Sequence, residues 1–112
     1  MKSSSLLKNI EYKEDKPAIN VLFETESTKE IRIVMRKGQN MKKHQTPFPI
    51  VVEMFDGDLD FGVEDNLYHL KRGDILALDG GVPHDLLAKS DCIVRLTLSK
   101  SDSVKRVEKV AE

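Results

Sequence analysis

Apolar and polar residues alternate most clearly between Glu30 and Arg36. Ile31, Ile33 and Met35 fall on one face; Glu30, Arg32 and Arg36 fall on the other with Val34. A period of two predicts a strand with one face in a core. Ile19–Glu26 is rich in β-formers and sets Val21 and Phe23 on one side. Short apolar runs then recur at Ile50–Phe55, Leu59–Val63, Leu67–Leu70, Ile75–Leu78, His84–Ala88 and Cys92–Ser99, separated by Gly, Asp and Asn turn signals. About eight to nine short strands at turn spacings of about eight to twelve residues predict an all-β barrel or sandwich. Asp56-Gly57-Asp58 reads as a tight hairpin turn. Met41-Lys42-Lys43 reads as a lead into His44. Pro47 and Pro49 stiffen the approach to Ile50, because each ring fixes φ and removes an N–H.

The two ends differ from this middle. Residues 1–18 are polar with an apolar patch at Leu6, Leu7 and Ile10, either an arm packed on the barrel or on a second subunit, or a loosely held terminus. Beyond residue 100, Val104, Val107, Val110 and Ala111 share one helical stripe that Ser101 or Ser103 could cap. A helix this short is marginal alone and needs a docking surface, so a short helix and a frayed tail both stand. The chain therefore divides into an arm (1–18), a barrel (19–100) and a tail or short helix (101–112).

Composition narrows the partners. The chain has 112 residues and suits one domain. Its net charge of −1 gives no basic field, which excludes a nucleic-acid or anionic-membrane partner as the expectation. No apolar run approaches the twenty residues of a membrane span, and the first residues lack a continuous apolar signal region. The single cysteine, Cys92, forms no internal disulfide and fits a reducing cytoplasm. It reads as a small buried hydrophobe.

Two spaced motifs carry a family resemblance. Gly38, His44 and Gly57 fall on the first Gly, first His and last Gly of the first cupin motif, with Thr46 at its second His and Ile50 at its Glu. Gly73, Gly81 and His84 match the second motif, with Asp79 in place of its Pro and Ala88 in place of its Asn. Over about residues 30 to 99 the chain thus resembles the cupins. The resemblance implies a small jelly-roll β-barrel with His44 and His84 pointing inward. It also implies a homodimer paired through its sheets, and a ligand set cut from four residues to two. It leaves function open, since one fold serves many activities.

Side-chain parity extends that frame. Thr46, Ile50, Val52 and Met54 share the direction of His44, and Leu86 and Ala88 share that of His84. With Met35, and with Phe48 at the mouth, these line the expected pocket. Glu53 and Asp85 face outward, so neither replaces the missing carboxylate, and His69 reads as a surface residue. Two imidazoles with water or a threonine hydroxyl hold a divalent ion (Zn, Ni, Fe or Mn) more weakly than three or four ligands do. Iron oxygenases use two histidines and a carboxylate, which is missing here. A histidine pair could also move protons, but no third polar group is evident to orient either ring, and no oxyanion donor. G-x-S-x-G, P-loop and dinucleotide motifs are absent. Three readings follow: a barrel that binds a small molecule and has no demonstrable enzyme activity; a metal-assisted enzyme using His44 and His84; and a dimeric structural or regulatory barrel, whose strands at Ile19–Glu26 and Glu30–Arg36 offer edges to cover.

Overall fold

The computed structural model describes all of residues 1–112 and contains nine strands and one helix: β1 (Ala18–Glu24), β2 (Thr28–Met35), β3 (Asn40–His44), β4 (Ile50–Asp56), β5 (Leu59–Val63), β6 (Asn66–Leu70), β7 (Ile75–Leu78), β8 (His84–Ala88), β9 (Cys92–Ser99) and α1 (Val104–Val110). The strands form two antiparallel sheets, β1-β2-β9-β4-β7 and β3-β8-β5-β6. Inward residues of both sheets make one core. It holds Ile31, Ile33 and Met35 from β2, Met54 from β4, Phe61 from β5, Leu86 from β8 and Val94, Leu96 and Leu98 from β9. The alternation read at Ile31, Ile33 and Met35 is the pattern of a strand with one face on this core.

Three local expectations change. Asp56-Gly57-Asp58 does not close a hairpin, because β4 and β5 lie in different sheets. It is the corner where the chain crosses between them. Gly57 has φ +82°, and a Cβ there would strike the Asp91 carbonyl and Cys92. Only glycine suits both that φ and that approach. Second, Asn40–His44 is a strand rather than a lead-in. Only Met41 is buried in it, so it carries no apolar period, and its backbone pairing with β8 makes it a strand.

The third change concerns the polar face of β2. Arg32 is 4% exposed and Val34 is fully buried. The N-terminal arm covers them. The Arg32 guanidinium donates to the carbonyls of Ser5, Lys8 and Asn9 and to the Asn20 side chain. Ile10 and Tyr12 pack beside Val34, Ala18 and Ile93. Of the apolar patch at Leu6, Leu7 and Ile10, Leu7 stays exposed. The arm thus lies on its own barrel, held by Arg32 and the carbonyls around it and by the packing of Ile10 and Tyr12.

The tail forms α1. Val107 and Ala111 are buried in the core, and Val104 and Val110 pack against it, as their stripe predicts. Ser103 is the N-cap residue, but its hydroxyl makes no capping bond; the Asp102 carboxylate accepts from the Ser103 N–H instead. The helix closes one end of the space between the sheets, next to β3.

Candidate functional site

His44 and His84 stand opposite each other in the β3–β8 pairing. Register alone therefore brings together two residues forty positions apart. The ring centroids lie 4.2 Å apart at 59°, and Phe61 stacks on His84 at 5.7 Å. Nδ1 of His44 lies 2.8 Å from the Lys42 carbonyl, and Nδ1 of His84 lies 2.9 Å from the Val82 carbonyl. A carbonyl only accepts, so both Nδ1 atoms carry the proton. Each neutral ring then offers an Nε2 lone pair, and neither Nε2 has a protein partner. Backbone carbonyls thus orient both rings, a role that residue types in the sequence do not reveal.

The two rings line a small cavity of about 20 Å³. Ile33, Ile50, Val52, Phe61 and Leu96 form much of its apolar wall; Arg106 and Val107 of α1 close it. In this closed form it has room for about one water-sized occupant. Of the residues expected to line it, Ile50, Val52 and Leu86 do. Met35, Met54 and Ala88 are buried in the core outside the lining. Phe48 is half-buried and Thr46 is buried, and neither lines the cavity. Parity failed at Thr46 because the two prolines interrupt the strand between it and Ile50.

Thr46 instead serves a polar latch. Its hydroxyl donates to Asp102 Oδ2 at 2.7 Å, while Arg106 donates to both Asp102 oxygens at 3.1 Å. The loop carrying Thr46 is fixed by a 2.6 Å bond from the Gly81 N–H to the Thr46 carbonyl. It packs so closely on Gly80 that a Cβ there would strike the Pro47 carbonyl. Burial alone would raise the Asp102 carboxyl. The hydrogen bonds from Arg106, Thr46 and the Ser103 N–H outweigh it, so the group titrates below its ordinary value. Arg106 is the third polar group of the site. Nothing in the sequence marks it beyond its place on a helix with an apolar stripe.

Burial pushes the His44 pKa down to about 4. The adjacent His84 and Arg106 lower it further, against the raising effects of its Lys42 carbonyl bond and Asp85. His84 is lowered too, by burial first and by Arg106. Both rings are neutral at pH 7. Elsewhere, burial pushes the Cys92 thiol up to about 12, so it is no nucleophile at neutral pH. Glu53 binds Arg95 at 2.6 Å, away from the histidines. His69 is a half-exposed ring between Asp60, at 2.6 Å, and Asp58, at 3.3 Å.

No family model and no curated protein matches the chain. Solved structures do. An RmlC-like cupin protein from Desulfovibrio desulfuricans is 22% identical, with 88% of this chain and 96% of that one covered and a TM-score of 0.81. The protein TT1209 from Thermus thermophilus is 20% identical over 88% of this chain and 98% of that one, with a TM-score of 0.80. The conserved protein SPY1581 of unknown function from Streptococcus pyogenes is 20% identical over 91% and 90%, with a TM-score of 0.76. The chain has the cupin fold. At these identities the likeness carries the fold alone, so the chemistry of this cupin barrel rests on its own residues.

Those residues test the metal that the fold family implies. No cluster of three or more His, Cys, Asp or Glu side chains is placed to hold an ion. The two available nitrogens also sit beside the Arg106 guanidinium, whose charge opposes a cation. Two imidazoles facing an arginine do not make a donor set for a tightly held divalent ion. No helix is long and apolar enough to cross a membrane.

Proposed function

We propose that this cupin binds a small molecule, whose polar head sits against His44 and His84 with α1 as the cover of the site. One observation carries this reading. Two oriented, neutral imidazoles present unpartnered Nε2 atoms to an apolar cavity closed by a short helix. Beside them Arg106 Nη1 is buried without an acceptor, and buried polar atoms without partners are uncommon in a finished core and common where a ligand docks. With α1 seated, the cavity takes about one water-sized group. A larger ligand enters as α1 lifts, and a seven-residue helix held by one latch and a few apolar contacts is suited to that movement. No reaction is assigned: the cavity lining holds no Ser, Thr, Cys or Lys side chain.

The test is a fragment screen of untagged protein, followed through the ring signals of His44 and His84 by NMR. Saturable shifts that vanish in the H44A/H84A double variant support the reading. A folded protein whose rings respond to no compound overturns it.

A divalent ion on the same nitrogens is the second reading. The Nδ1–H bonds to carbonyls favour it, being the usual way ligating histidines are oriented. Arg106 and the lack of a third donor oppose it. Stoichiometric metal in the purified protein, lost in the double variant, would favour the ion. Pairing into a homodimer is a separate proposal. β1 is an edge strand with Val21 half-exposed, while the arm covers the adjoining sheet face. Sedimentation showing only monomer at high concentration would exclude it.

A further inference from the structure

The head group that this site would take can be read from its unmade hydrogen bonds, given the binding role proposed above, on which this inference rests. Three nitrogens are in question. His44 and His84 each have Nδ1–H committed to a backbone carbonyl, leaving Nε2 as an acceptor. Arg106 lines the same cavity. Its Nε and Nη2 donate to Asp102, but Nη1 is buried and has no acceptor. A guanidinium N–H withdrawn from water and left unpaired is destabilising, and no residue of this chain relieves it. The charged groups acting on the histidine pair are Arg106 from α1 and Asp85 from β8. The lining contributed by β2, β4, β5 and β9 is apolar.

We propose that the ligand carries a neutral head group with one carbonyl oxygen and adjacent N–H or O–H donors, for which a primary carboxamide is the simplest form. Its carbonyl accepts from Arg106 Nη1, and its N–H donors turn to the two Nε2 atoms. A carboxylate fits worse. It has only acceptors and would set lone pairs against two imidazole lone pairs. A plain ketone would satisfy Arg106 but leave both imidazoles unpaired. Low pKa values of the two rings support the same assignment of acceptors at neutral pH. The body of the ligand lies on Ile33, Val52 and Leu96 and exceeds the space under the seated helix, so α1 carries Arg106 outward over it; a short branched aliphatic chain suits that wall. Arg106 thereby has two tasks: it latches α1 through Asp102, and it is a binding residue for whatever α1 covers.

The experiment compares three compounds of one shape, isobutyramide, isobutyrate and isopropyl methyl ketone, titrated into the full chain at pH 7.5. The ring signals of His44 and His84 are the readout. The expected result is saturable binding of the amide, with the acid and the ketone weaker by about tenfold or more, as lost hydrogen bonds to buried groups require. R106M should remove the preference for the amide over the ketone. Because that variant also loosens α1, the comparison on the unaltered chain decides by itself. The inference is overturned if the acid or the ketone binds as well as the amide. It is also overturned if none of the three binds while other fragments shift the same rings; the binding role then survives. If no compound of any kind shifts them, both fall.

Discussion

Thr46 donates a 2.7 Å hydrogen bond to Asp102, and that bond ties the loop after β3 to the start of α1 across 56 residues of sequence. Asp102 is 5% exposed and also receives both donors of the Arg106 fork. One carboxylate therefore holds the cover of the cavity to the strand that carries His44. D102A removes the shared acceptor and leaves a guanidinium and a hydroxyl unpaired. It should cost about 1–3 kcal/mol in urea denaturation. Its amide exchange should rise in α1 and little in β2 and β9. Equal loss of protection across both sheets would contradict the latch.

The histidine pair makes a pH prediction with a definite sign. His44 has an ordinary value of 6.5 and a folded value of about 4. As pH falls below 6.5 the unfolded chain takes up a proton that the folded chain refuses, so stability falls until about pH 4, where the folded ring also titrates. The contribution is intact above about 6.5. The urea midpoint of the native chain should thus fall between about pH 6.5 and 4 more steeply than that of H44N. Parallel curves for the two proteins would contradict the depressed value.

Close backbone packing sets the position of Thr46. A Cβ at Gly80 would strike the Pro47 carbonyl, and backbone has little freedom to yield. G80A should cost about 1–3 kcal/mol, the usual range for overpacking. It should also shift the signals of Thr46 and α1. An unchanged midpoint and unchanged α1 signals would show that the loop moves freely.

Arg32 anchors the arm through three backbone carbonyls, with no acidic partner among its contacts. R32M keeps much of the stem and removes every guanidinium donor. The arm, residues 1–17, should become sensitive to limited proteolysis while the strands after it remain protected. Resistance equal to that of the native chain would assign the hold to Ile10 and Tyr12 instead.

Much of the fold was legible in the chain. The alternation at Ile31–Met35 and the short apolar runs mark eight of the nine strands. The spacing from Gly38 to Gly57 and from Gly73 to Ala88 implied the barrel that the structural neighbours share. β3 was not legible, because Asn40–His44 buries only Met41 and is made a strand by its partner. Parity placed Ile50, Val52 and Leu86 with the histidines but not Met54 and Ala88, which lie in the core outside the cavity, and it failed at Thr46, which the prolines separate from Ile50. Arg106 could not be found by any motif. Its place depends on the docking of α1, which is a tertiary event, and on Asp102, whose burial follows from that docking. The covering of Arg32 and Val34 by the arm is likewise invisible to a rule that assigns charged positions to solvent.

The proposed ligand recognition depends most on which ring nitrogen of each histidine carries the proton. Long-range ¹⁵N–¹H NMR of the two imidazoles at pH 7 reads this directly. The geometry predicts two neutral rings, each protonated at Nδ1 with Nε2 unprotonated, and His44 remaining so down to about pH 4. A proton on Nε2 of either ring, or an imidazolium at neutral pH, would contradict it.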